Sequence, residues 1–223
     1  MWQRLTIGVC GIGLICGCQS GSARRAPEHI DPDSASISDA PEPTIKPETF
    51  VAAGDLAIAR NQPKQAAEQY AKALQIRPQD PPTLRKLALA HTKAGQTTAA
   101  IEAWQSYVTA TGGSSDACGS LGYAYELAGN PEEAEKVYKD GVAKNPKGSL
   151  VRINYGLMLV RHNQVDLAVQ QLSAVLQPHE VNYNIASIYE QTGRPDLAQF
   201  YYRRSLECNP QFAAAKQKLA ALD

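Results

Sequence analysis

The residues of this chain that could do chemistry are few and far apart. Its 223 residues include four histidines, His29, His91, His162 and His179, and five cysteines, and no two of the histidines share a local motif. No HExxH helix, GxSxG elbow, Gly-rich phosphate loop or CxxC pair occurs. Cys10, Cys16 and Cys18 crowd the extreme N-terminus, which leaves only Cys118 and Cys208 for the body, too few for a disulfide framework. The adjacent acids Glu132 and Glu133 stand where a helix begins, after Pro131, and there they suit the positive end of the helix dipole better than a catalytic dyad. Neither an enzyme nor a cofactor is expected, and no small-molecule substrate. Lys and Arg (22) balance Asp and Glu (22), so no basic excess exists to hold nucleic acid either.

The first elements are an address and a tether. Residues 1–17 carry Arg4, an apolar run from Leu5 to Ile15, and then Cys16-Gly17-Cys18. The run is too short to span a bilayer and reads as a secretory signal. Its end resembles the bacterial lipoprotein signal, in which a cysteine after a small residue is lipidated. Cys18 after Gly17 fits better than Cys16 after the bulky Ile15. That resemblance implies membrane attachment through lipid, and Gln19 in place of Asp implies the outer membrane of a bacterial envelope, facing the periplasm. From Cys18 to residue 46 the chain is rich in Pro, Ser, Asp and Glu without apolar period, so this stretch is expected to be a disordered tether.

The remainder, 47–222, is built of helix formers, with 33 Ala in the chain and no convincing alternation of strand type. It repeats itself. Gly54, Ala88, Gly122 and Gly156 are each 34 residues apart, followed by Ala186 at 30. Ala66, Ala100, Ala134, Ala168 and Ala198 recur in step, as do the aromatic residues Tyr70, Trp104, Tyr138 and Tyr202. The segment Leu121-Gly122-Tyr123-Ala124-Tyr125, then Gly129-Asn130-Pro131, with Ala134 and Tyr138, resembles the tetratricopeptide repeat. That resemblance implies an all-α solenoid of about five helix-turn-helix repeats, at 47–80, 81–114, 115–148, 149–178 and 179–212, with a C-terminal capping helix at 211–222. Small residues are expected to meet small residues where paired helices touch, with the aromatic ring filling the gap toward the next unit. The four residues missing near Val175–His179 shorten either the second helix of repeat four or the linker after it. In the cap, Lys216 and Lys218 are expected to face solvent.

In this family the first helices form a concave groove that holds partner segments. Carried onto this chain, its positions are Val51 and Asp55, Arg85 and Leu89, Gly119 and Tyr123, Ile153, Asn154 and Leu157, and Tyr183, Asn184 and Ser187. The groove is expected to be basic in repeat two, at Arg85, Lys86 and Lys93, and apolar with aromatic groups in repeats three to five. The Lys and Asn pattern with which the family's best-known clamp grips a C-terminal carboxylate is absent. The expected partner is a protein or peptide segment. The stretch from Tyr183 to Arg204 is similar to tight-adherence (Flp) pilus assembly lipoproteins, which implies an assembly or pilot factor of a pilus or secretion machine, type IV pili included. A scaffold for outer-membrane protein insertion or cell-wall synthesis is the alternative. A periplasmic enzyme or metal protein is the alternative of a different class, and it lacks a motif.

Overall fold

A computed structural model describes residues 45–222. The signal segment 1–17, the Cys18 lipid site, His29 and the tether as far as residue 44 lie outside the described residues. Those described belong to a single compact unit, Thr44–Asp223. Among them are eleven helices and no strand, so the fold is all-α. Five pairs follow one another: α1 (Pro47–Ala59) with α2 (Pro63–Ile76), α3 (Pro81–Lys93) with α4 (Thr97–Ala110), α5 (Ser115–Leu127) with α6 (Pro131–Lys144), α7 (Ser149–Arg161) with α8 (Val165–Ser173), and α9 (Pro178–Gln191) with α10 (Pro195–Cys208). A short α11 (Ala213–Ala220) closes the stack. No helix among the described residues is long and apolar enough to cross a membrane.

Each pair turns by the same device. Asn61, Gly95, Gly129, Asn163 and Gly193 all have positive φ, between 57° and 76°. The next residue's N–H then reaches back to a carbonyl five positions earlier, as in Gln62 to Ala57 (2.9 Å) and Arg194 to Tyr189 (2.8 Å). This is the Schellman closure of a helix C-terminus, and it demands a left-handed residue, which Gly or Asn supplies at least cost. Proline then opens the second helix in repeats one, three and five, where its missing N–H loses no helical bond. The register shift in repeat four is a helix shortened by about a turn: α8 has 9 residues against 14 in α10, and Pro178 begins α9.

Packing within a pair differs from the expectation of small against small. The alanines Ala66, Ala134, Ala168 and Ala198 are fully buried, but the glycines answer rings and leucine instead. A Cβ at Gly122 would lie 2.3 Å from Cε1 of Tyr138, at Gly54 2.4 Å from Cε1 of Tyr70, and at Gly156 2.6 Å from Cγ of Leu172. The missing side chain makes room for a large one from the partner helix, so the ring lies inside its own repeat. Tyr138 still reaches the next unit, stacking on Tyr155 with 5.6 Å between centroids.

Between repeats, each second helix packs on the following first helix, and α7 also packs directly on both α5 and α9. Gly119 allows this approach: a Cβ there would sit 3.2 Å from the backbone of Leu150 and Val151. Gly119 is therefore spent on helix packing rather than on the groove. The largest core cluster runs through these C-terminal repeats, from Cys118 to Ala215. At the end of the stack Lys218 does not simply face solvent. Its ammonium pairs with Glu190 at 2.9 Å, which ties α11 to α9.

Candidate protein-interaction groove

The groove side of the first helices is stitched together by charged pairs that cross repeat boundaries. Lys86 of repeat two holds Asp55 of repeat one at 2.6 Å, and Arg85 holds Asp116 of repeat three at 3.3 Å. Two of the three cations expected to make repeat two basic are thus matched by neighbouring acids, and the basic texture is largely cancelled. Farther along, Arg161 holds Glu126 at 2.5 Å. The carboxylates serve a second donor from below. Tyr70 donates to Asp55 (2.7 Å), Tyr138 to Glu126 (2.6 Å) and Tyr202 to Glu190 (2.5 Å).

These contacts shift the titrations. Burial first, and then the adjacent carboxylate, pushes the hydroxyls of Tyr70 and Tyr138 well above the ordinary phenol range. Burial and the Glu190 bond do the same to Tyr202. Tyr155, buried beside Glu135, rises to about 12. In the other direction, the Tyr202 hydroxyl and then the Lys218 ammonium hold the Glu190 carboxyl below its usual value. Partial burial pushes Asp55 up, but the bonds from Lys86 and Tyr70 outweigh it and leave that carboxyl lowered.

The positions expected to form the groove separate into three sets. Tyr123, Asn154 and Leu157 come together in a cleft of about 320 Å³ between α5, α7 and α9. Glu126, Arg161, Ile188 and Gln191 complete its lining, and sequence reasoning missed them. The signal was available: Glu126 and Arg161 lie one helical turn beyond Tyr123 and Leu157 on the same face. Leu89 on α3 and Tyr123 and Leu127 on α5 stand exposed at 37%, 43% and 56%; of the three, Tyr123 lines that cleft, and Leu127 lines a smaller hollow with Thr92 and Ala124. Asp55 and Val51 line a separate hollow near the N-terminal end, with Lys86, Arg77 and Glu48. There Arg77 pairs with Glu48, so its charges are also matched within the chain.

The third set is half-buried. Tyr183 packs on Tyr202 (5.5 Å) and on Phe212 (5.3 Å), under the cap. Ser187 donates to the Tyr183 carbonyl at 3.0 Å, and the Asn184 amide to the Glu180 carbonyl at 2.8 Å. Ile153 is half-buried against the core. Asn154 gives its amide N–H to the Gly119 carbonyl at 3.0 Å, which leaves its carbonyl oxygen for a ligand.

The remaining reactive groups lie apart from one another in the repeats. Cys118 is buried, its thiol pushed up by that burial, and it points at the Gly113 carbonyl at 3.5 Å. Cys208 is a separate, exposed thiol. His91 bonds the Gln96 side chain at 2.9 Å beside its own turn. Among the described residues no three His, Cys, Asp or Glu side chains gather as metal ligands.

Comparison with known proteins agrees with this geometry. A comparison with curated proteins finds no match. Among solved structures, TTC0263, a thermophilic tetratricopeptide repeat protein of Thermus thermophilus, superposes with a TM-score of 0.55 at 24% identity, covering 79% of this chain and 98% of that one. MamA superposes with a TM-score of 0.58 at 23% identity, covering 75% and 94%. PilW, a widely conserved type IV pilus biogenesis factor, gives a TM-score of 0.55 at 15% identity over 79% and 85%. At these identities the likeness is one of fold. Residues 51–116, 117–149 and 179–212, together more than half of the chain, match the tetratricopeptide repeat family. The chain belongs to that family, as an all-α solenoid of the kind that serves as a protein-interaction scaffold.

Proposed function

We propose that this scaffold is a lipoprotein of the bacterial envelope, anchored through Cys18 and facing the periplasm from the outer membrane. Its groove holds a segment of a partner protein and serves the assembly of a pilus or secretion machine. The observation that carries the groove reading is the cleft where Tyr123, Asn154 and Leu157 meet, with the Tyr123 ring left exposed at its edge. Tyrosine and arginine, here Tyr123 and Arg161 in one cleft, are residue types enriched at binding hot spots. The anchor rests on Gly17-Cys18 after a short apolar run, and several acyl chains on one residue give firm attachment, about 0.8 kcal/mol per buried CH₂. The assembly role draws on the similarity of 183–204 to pilus assembly lipoproteins and on a fold shared with PilW.

Two experiments test it. Crosslinking on intact membranes should recover a secretin or pilus subunit, and Tyr123→Ala with Leu157→Ala should lose it. If the captured set is unchanged by both substitutions, the groove is not the binding surface. Replacement of Cys18 by Ser should move the protein from the membrane to the soluble fraction, and retention on the membrane would overturn the anchor.

A further inference from the structure

The cleft between α5, α7 and α9 is electrically closed. Its acid, Glu126, has a side chain only 11% exposed, and both of its oxygens are engaged, Oε1 by the Tyr138 hydroxyl and Oε2 by Arg161. Its one cation, Arg161, is neutralised by that same carboxylate. A charged side chain entering here would give up water and find no unmatched charge to repay it. The other walls are the ring of Tyr123, the side chains of Leu157 and Ile188, and the amides of Asn154 and Gln191. A volume of about 320 Å³ is at the small end for ligand pockets, which run roughly 300–1,000 Å³. It suits one large side chain with its flanking peptide groups.

The polar groups left over match a peptide backbone. Asn154 donates its N–H to Gly119, so its oxygen is available to accept from a peptide N–H. Arg161 spends one arm on Glu126, and the rest of its planar fork can donate to peptide carbonyls. We infer that this cleft selects one uncharged apolar side chain, leucine- or phenylalanine-sized, from the partner's segment, and that it reads neither a carboxyl terminus nor a charged residue. This rests on the groove reading above and specifies what the groove takes.

The test is an NMR titration of the isotope-labelled full chain with four small probes: N-acetyl-leucinamide, N-acetyl-phenylalaninamide, N-acetyl-lysinamide and N-acetyl-aspartate. The two apolar amides should shift the side-chain amide signals of Asn154 and Gln191 and the methyls of Leu157 and Ile188. Their dissociation constants should differ by less than twofold between 50 and 500 mM salt. The two charged probes should bind at least tenfold more weakly. Tyr123→Ala should weaken the apolar probes at least tenfold, and Tyr123→Phe should restore them. A charged probe that binds as well as an apolar one overturns the inference, as does strong salt dependence or apolar binding that leaves the cleft signals unmoved. If Tyr123→Ala abolishes partner crosslinking while these probes fail to discriminate, the groove reading survives and the side-chain class does not.

Discussion

The hydroxyl of Tyr138, on α6, donates a 2.6 Å hydrogen bond to Glu126 on α5. The ring lies across Gly122 in the same repeat, and the carboxylate it meets goes on to hold Arg161 of the next. One buried phenol thereby connects the packing of a helix pair to the junction between repeats. Tyr202, Glu190 and Lys218 form the same chain of contacts at the cap. In repeat two, Trp104 instead bonds Thr92 at 3.4 Å. In repeat four Leu172 needs no acceptor, and the buried Val160 stands at the register of the acid.

Removing the hydroxyl should therefore cost stability where the ring itself is kept. Tyr138→Phe leaves Glu126 with a donor missing, and the loss of such a partner costs about 1–3 kcal/mol. Chemical denaturation should show it, whereas Tyr123→Phe on the exposed groove surface should change stability by less than about 0.5 kcal/mol.

Gly122 should tolerate no side chain without rearrangement. Its Cβ would lie 2.3 Å from the Tyr138 ring, and overpacking of a formed core costs about 1–3 kcal/mol. Gly122→Ala should lower the denaturation midpoint, as should Gly156→Ala, whose Cβ would lie 2.6 Å from Leu172.

The left-handed turn positions make a different prediction. Gly129 has φ of 76° with open space around its Cα, so the obstacle there is backbone conformation rather than volume. Gly129→Asn should be nearly neutral, since Asn61 and Asn163 occupy the same place in repeats one and four. Gly129→Val should cost about 1–2 kcal/mol, the ordinary penalty for a left-handed residue bearing a Cβ. Thermal unfolding of the two variants side by side checks it.

Alkaline pH should destabilise the fold. Tyr70, Tyr138, Tyr155 and Tyr202 all have hydroxyls raised by burial and carboxylate bonds. The unfolded chain ionises its tyrosines near pH 10 while the folded chain keeps them neutral. Their contribution is fully present below about pH 10 and declines as pH rises toward the folded values. Of the ten tyrosines, part should form tyrosinate, read by absorbance at 295 nm, only together with loss of helix, and ionisation of all ten with helix intact would contradict it.

At low pH the cap should loosen before the body. The Glu190 carboxyl is depressed by Tyr202 and then Lys218, so its contribution holds above the ordinary carboxylate value, about 4.3, and fades as pH falls through the lower folded value. Amide exchange in α11 should quicken in that window, and Glu190→Gln should make it fast already at neutral pH.

Much of this was legible in the residues themselves. A 34-residue period marks repeated units that present similar faces to their neighbours, and the resemblance of those units to the tetratricopeptide repeat implies that they stack as helix pairs. Gly95, Gly129 and Gly193 with Pro131 and Pro195 mark the turns for equally local reasons. What a linear period could not say is which side chain meets which. The alanines and glycines recur together, so small against small was a natural pairing; only the superhelical geometry shows that Gly122 faces Tyr138. The groove was half visible for the same reason. Family positions point to Tyr123, Asn154 and Leu157, but the order of charges along the chain does not show which acid each cation meets. Ion pairs between repeats depend on distances of 2.5–3.3 Å between residues about 31–35 apart, which sequence spacing cannot resolve. The repeat, its turns and its capped end follow from the amino-acid order, since they rest on local propensity and period. The closing of Arg85, Lys86 and Arg161 onto neighbouring acids, and with it the matching of charge in the cleft, was decided by tertiary packing alone, since only the stacked helices bring those charges within reach.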